Sequence, residues 1–243
     1  MLERQDKELV VDLHQGLCFD EFGRAVTSLL EDLLYRTCHL ELPVKHLHLV
    51  QHELTPRNKQ HFEKLRHILR SVERLASTGI LAEVVLLQGS TVPLAQQATH
   101  IRVQPALWDD NTPRCDSALR QSIMQIFRAV CAADLFMPKF CKSFLFVRLV
   151  PQDASSLATT NRPEGEDDQP SSAGSARTAE SIDVEGFERR PGGLPVSRAK
   201  RRTVFSLRQT GEHRRTEDTK PASADDPGVW LQLTQHLPTV SCS

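Results

Sequence analysis

From Gln152 to about Glu185 the chain is built of Ser, Thr, Ala, Pro, Asp and Glu with almost no large apolar side chain. Glu164, Glu166, Asp167 and Asp168 form an acidic knot within it. Such a stretch cannot bury enough surface to offset the entropy of ordering it, so it reads as a disordered insertion. A second polar gap runs from about Gly211 to Pro227. Apolar patterning returns only briefly, at Thr203-Val204-Phe205-Ser206-Leu207 and at Val229-Trp230-Leu231-Gln232-Leu233. Both pieces are strand-like and too short to be stable alone, because an isolated hairpin is marginal in water. They are expected to complete a sheet begun in the first 150 residues. The domain plan is then a short tail over 1–13, a core over 14–151, the insertion over 152–185, and C-terminal strands over 186–240 with a flexible loop at 211–227.

Three helices stand out before Pro151. In the first, Phe19, Phe22, Val26, Leu29, Leu30, Leu33 and Leu34 recur at spacings of three and four, which puts them on one face. The second opens at Thr55-Pro56, an N-cap followed by proline at the first helical position. Its stripe is Phe62, Leu65, Ile68, Leu69, Val72 and Leu75, and Gly79 sits where a C-terminal cap belongs. The third opens near Asp116 or Ser117 and is patterned by Leu119, Ile123, Ile126, Phe127, Val130 and Leu135, with Pro138 just beyond.

Ile80 to Leu87 is a near-continuous apolar run stopped by Gly89, the pattern of a strand buried on both faces. His100-Ile101-Arg102-Val103-Gln104 alternates as an edge strand does, and Lys142 to Val150 is a further strand candidate. The order is helix, helix, strand, short strand, helix, then three strands. That is an α+β class with helices on one face of a sheet.

Composition bounds the function classes. Lys+Arg total 30 and Asp+Glu total 31, a formal net charge of -1, which excludes a whole-chain basic field for nucleic acid. Six cysteines without a CxxC pair argue against a disulfide scaffold or a zinc ribbon. The start of the chain is charged and no apolar run approaches the ~20 residues that span a bilayer, so no membrane partner and a nuclear or cytoplasmic location are expected.

No phosphate-cradling glycine motif, G-x-S-x-G elbow or H-E-x-x-H occurs. His46 and His48 would share one face of an extended segment, with His52, His61 and His67 following; a solvated polar face is the expected reading, since no Cys or carboxylate lies at a ligand spacing. Cys131 falls on the apolar third helix and reads as a small core residue. A Cys–His nucleophile that pairs Cys131 or Cys141 with a distant histidine stays open in sequence, but no constellation supports one, so no enzyme and no cofactor or metal is expected. Lys200-Arg201-Arg202, between Arg198 and Arg208, is the one basic cluster. It reads first as a solvated strand entry, then as a partner-binding patch, and last as a nucleic-acid contact, because Phe187 and Phe205 are the only nearby aromatics.

The elements together resemble the comet family of mitotic-checkpoint silencing proteins. The third helix, Ile126-Phe127-Arg128-Ala129-Val130-Cys131-Ala132-Ala133-Asp134-Leu135-Phe136, looks like that family's corresponding helix. Leu33-Leu34-Tyr35 with Leu40-Glu41-Leu42-Pro43, Val84 through Gly89, and Phe187, Leu194-Pro195 and the two C-terminal strands match in the same order. The resemblance covers roughly residues 15–150 and 184–240. It implies a HORMA-like fold, three helices on one face of a mainly antiparallel sheet, with a C-terminal safety-belt-like segment. It further implies a non-catalytic adaptor that binds the closed conformer of the checkpoint HORMA protein Mad-two and presents it to an AAA+ remodelling ATPase, so that mitotic checkpoint complexes come apart.

The resemblance also implies where partners sit. Phe127 matches a phenylalanine of the family's partner interface, although it also fits the apolar stripe of the helix. Ile123, one turn earlier, is counted with it. Arg36 stands where the family has a glutamine, and a guanidinium does not replace an amide. Arg189, Arg190 and Pro191 overlie a short contact segment of the family. The N-terminal tail is shorter than the family's ATPase-engaging tail, and the Ser-rich insertion is longer, with Ser171, Ser172 and Ser175 as candidate phosphorylation sites. Two other readings are kept: a HORMA-like module for a meiotic or repair partner, and a nucleic-acid-associated protein using Lys200 to Arg202.

Overall fold

The computed structural model describes residues 5–14, 17–37, 40–103, 114–133, 135, 142–150, 186–190, 194, 199, 201–209 and 229–240. The amphipathic periods become helices where sequence placed them. α1 (Phe19–Arg36) buries Phe22, Val26, Leu29, Leu30, Leu33 and Leu34. After the short α2 (Val44–Leu49), α3 (Pro56–Ala76) starts with Thr55, whose hydroxyl accepts the Asn58 N–H at 3.3 Å, and Pro56 fills its first turn. Gly79 adopts φ 75° just past its end, a left-handed value that glycine takes without a Cβ penalty. α4 (Asp116–Ala132) buries Ala118, Leu119, Ser122, Ile126 and Val130.

The strands are β1 (Gln5–Leu13), β2 (Leu81–Gly89), β3 (Ala95–Val103), β4 (Lys142–Leu149), β5 (Phe187–Arg190), β6 (Arg201–Gln209) and β7 (Val229–Leu233). They form one seven-stranded sheet in the order β1-β6-β3-β2-β4-β7-β5. The β3–β2, β2–β4, β4–β7 and β5–β7 pairs are antiparallel, while β6 is parallel to both β1 and β3. The sheet is therefore mainly antiparallel.

The helices share one face of it. The main core joins Leu29, Leu33, Phe62, Leu65 and Ile126 of the helices to Val84, Leu86, Val147, Phe205 and Leu231 of the strands. On the other face a separate cluster of Val85, Leu87, Ala98 and Phe146 contains no helix residue. β2 is thus covered on both sides, which is why its sequence is apolar at nearly every position. The cover on the second face comes from the connection between β5 and β6. β5 is the last strand of the sheet order and β6 the second, and Leu194 and Ala199 of that connection pack into this second cluster. After β7 the chain returns to the helices: the Leu237 N–H donates to the Ser143 carbonyl, Val240 bridges to Leu40, and the Thr239 carbonyl meets the His61 ring.

Several expectations are corrected. The helices number four among the described residues, because the His46–His48 segment forms α2 and is not extended. The two histidines are exposed at either side of buried Leu47. Residues 5–13 are strand β1 and not a tail, since Val11 and Leu13 bury their side chains in the main core. β3 is nine residues long and lies between β6 and β2, so it is internal. Buried Thr99 and His100 let a partly polar strand occupy that place. Among the described residues four strands follow α4, the extra one being β5. The insertion 152–185 with its serines and the loop 211–227 lie outside the described residues.

Candidate partner interface

Large apolar side chains that remain exposed mark where a surface is unfinished. Three of them, Tyr35 at 38%, Met124 at 51% and Phe127 at 42%, belong to the C-terminal turn of α1 and to α4. α1 packs on both α3 and α4, and α4 also lies against β1. The two helix ends are tied side by side through Arg36. Its guanidinium sits 5.4 Å from the Phe127 ring centroid, and Nη2 donates to the Cys131 sulfur at 3.0 Å.

The helical period explains this sorting. Ile126 and Val130 face the core, while Met124, Phe127, Arg128 and Cys131 fall on the opposite side. Phe127 therefore lies outside the core, and Cys131 is exposed, not the small core residue its apolar neighbours suggested. Ile123 is partly buried and packs against the main core under the exposed pair. Met124 is the residue that sequence reasoning passed over. It is three positions before Phe127, the spacing that puts two side chains together on a helix surface.

Arg189 and Arg190 do not join this group. They are on β5, the edge strand at the far end of the sheet from β1 and α4. Six inter-strand steps separate the two edges, about 29 Å for a flat sheet. Arg189 is exposed and Arg190 is half-buried, donating to the Gln232 side-chain oxygen with its guanidinium 5.9 Å from the Phe146 ring. Pro191 lies outside the described residues. The expected partner residues thus divide between two surfaces on opposite sides of the molecule.

The basic cluster is largely internal to the sheet. Arg202 and Arg208 stand opposite Asp6 and Asp12 of β1 in register, and the Arg208 Nε donates to the Asp12 carboxylate. Arg201 is exposed, and Lys200 lies outside the described residues. With Arg208 held by the Asp12 carboxylate and Arg202 in register with Asp6, part of this strand's positive charge is offset, which weakens its field toward a polyanion.

A dense titratable cluster lies elsewhere, on the helix-free face. The buried Glu83 carboxylate meets the His100 Nδ1 at 2.7 Å, with Arg102 and Arg148 each at 3.7 Å. Burial pushes the Glu83 carboxyl up, but the His100 hydrogen bond and the two guanidinium charges outweigh it and hold the group below the usual range. Arg148 in turn lies 5.9 Å over Trp230. Glu83 ties to each of His100, Arg102 and Arg148, so the cluster reads as a bolt across β3, β2, β4 and β7, although the buried Arg148 Nε makes no hydrogen bond.

Among the described residues no group of three or more His, Cys, Asp or Glu side chains is placed to hold a metal ion. No described helix is long and apolar enough to cross a membrane. Among known proteins, no family model matches the chain and no curated protein matches it.

Proposed function

We propose that this chain is a HORMA-like, non-catalytic adaptor of the comet kind. It binds the closed conformer of the checkpoint HORMA protein Mad-two and promotes its remodelling by an AAA+ ATPase, silencing the spindle checkpoint. The observation that carries the reading is the exposed Phe127 on α4, braced by Arg36 from α1 and flanked by Met124. A rigid aromatic standing out of a helix whose other face is locked into the core is the usual form of an interface anchor.

The architecture agrees with the proposal at a coarser level. Helices back one face of a mainly antiparallel sheet, Leu194 and Ala199 of the β5–β6 connection lie on the other face, and the C-terminal residues return past β7 to α3. The β5–β6 connection and the segment after β7 are the candidates for the safety-belt-like element. The separation of Phe127 from Arg189 and Arg190 suits an adaptor, because one surface holds the checkpoint protein while the other stays open to the ATPase. Action in nucleus and cytoplasm, and at the spindle in mitosis, belongs to the same proposal. The nucleic-acid reading is weaker because Arg208 is held by the Asp12 carboxylate and Arg202 stands in register with Asp6.

The test is size-exclusion co-elution with closed Mad-two, for the wild type and Phe127→Ala, alongside thermal melts of both free proteins. A complex lost in a variant that melts normally supports the assignment. Absence of any wild-type complex at micromolar concentration overturns it.

A further inference from the structure

β1 is a nine-residue edge strand, whereas β5 at the other edge has four residues. It pairs in parallel with β6 along its whole length, from Gln5 opposite Arg201 to Leu13 opposite Gln209. Pairing on one side leaves alternate N–H and C=O groups pointing outward. Among the described residues no strand lies on that outer side. On the helix face β1 presents Leu9, Val11 and Leu13, of which Leu9 is half-buried and the other two are in the core.

The opposite face of β1 carries Asp6, Glu8, Val10 and Asp12. The Asp12 carboxylate accepts from Arg208, but Glu8 stands opposite Val204 and accepts the Ser206 hydroxyl at 2.8 Å. Val10, between Glu8 and Asp12 on this face, is 50% exposed.

We propose that the outer edge of β1 is a docking edge for an extended segment of another protein in which basic and apolar residues alternate. Backbone groups would continue the ladder past β1. Apolar side chains would extend the core side beside Leu9. Lysine or arginine side chains would lie on the acidic side, their aliphatic stems over Val10 and their charged heads at Glu8. A second copy of this chain fits poorly. Every antiparallel register that keeps both acidic faces on one side and overlaps at least seven residues of two β1 strands sets acid against acid, an unfavourable cross-strand pair.

The probe is a fluorescein-labelled peptide of sequence Thr-Lys-Val-Lys-Val-Lys-Val-Lys-Thr, with a control of equal composition whose lysines are grouped at one end. It is added to the full chain, and both anisotropy and amide exchange are followed. Saturable binding of the alternating peptide, at least tenfold tighter than the control, is expected. Exchange of the outward β1 amides should slow at least tenfold. Glu8→Lys should lower the affinity at least tenfold without moving the melting temperature, and Glu8→Gln should lie between. Equal binding of the two peptides, or unchanged β1 amides at saturation, would overturn the proposal. Outward amides already protected in the free protein would overturn it too: loss of that protection on dilution would identify a second copy as the occupant, and its persistence a segment of the same chain.

Discussion

The guanidinium of Arg36 lies 5.4 Å from the centroid of the Phe127 ring, and this contact links the last turn of α1 to the exposed side of α4. An arginine over a phenylalanine at an exposed site contributes roughly 0.5–1 kcal/mol. The contact also restricts both side chains before any partner arrives, which lowers the ordering cost of association.

A double-mutant cycle separates that contact from the rest. Arg36→Ala and Phe127→Ala are each expected to cost no more than about 1 kcal/mol in urea unfolding, with a coupling of ~0.5 kcal/mol between them. A loss of ~3 kcal/mol or more from Phe127→Ala alone is the size seen for core phenylalanines and would contradict the exposed placement.

Glu21 is 2% exposed and serves two helix starts at once. Its Oε2 accepts the Cys18 N–H at 3.1 Å and its Oε1 accepts the Cys115 N–H at 2.7 Å, at the beginnings of α1 and α4. The two helices bearing Arg36 and Phe127 are therefore clamped at their N-terminal ends by one carboxylate. Glu21→Ala orphans both donors and should lower unfolding free energy by about 3 kcal/mol, whereas Glu21→Gln keeps one acceptor and should cost about 1 kcal/mol. Chemical denaturation of the three proteins checks the ranking; equal stability of all three would show the clamp to be idle.

The local patterns of helix and strand were legible in sequence, and the long-range choices were not. Thr55-Pro56 and the leucine spacings of α1 report single-element physics, so those helices are found where expected. β1 escaped because its alternation, Leu9, Val11 and Leu13 against Glu8 and Asp12, is short and sits in a charged context at the start of the chain. Its burial depends on a partner strand some two hundred residues away, at Arg201–Gln209. β3 reads as an edge strand for a similar reason, since His100-Ile101-Arg102-Val103-Gln104 alternates and His100 looks solvated until Glu83 is set beside it. For the site, Phe127 was found by resemblance, with its exposure undecided, because an apolar residue on an amphipathic helix has the same letter in core and in interface.

Gly23 marks where α1 meets the end of α3. A Cβ built on it would collide with the Ser77 hydroxyl and lie 2.7 Å from the Glu73 backbone oxygen. The hydroxyl can rotate away, but the carbonyl belongs to the last turn of α3 and accepts the Ser77 N–H. Gly23→Ala gains helix propensity of about 1 kcal/mol yet forces the two helices apart. Overpacking of this kind costs about 1–3 kcal/mol, so the net change should be destabilising and measurable as a lower melting temperature. A rise in melting temperature would mean that the helices slide apart without cost.

On the same pair of helices, burial raises the Glu31 carboxyl from 4.5 to about 7; Lys45 opposes the shift, and Asp32 and Glu73 add to it. The folded chain thus holds this proton more tightly than the unfolded chain does. The stabilisation from that proton is fully present below pH 4.5 and is lost as pH rises through about 7. A shift of this size corresponds to about 3 kcal/mol at most, and about 2 kcal/mol after allowing for partial solvent contact. Glu31→Gln removes the titration while keeping the shape. It should therefore be more stable than the wild type by about 2 kcal/mol at pH 8, with the difference closing as pH falls toward 4.5. Urea midpoints of the two proteins across that range provide the measurement. A difference that stays constant with pH would show that Glu31 is charged in the folded protein throughout.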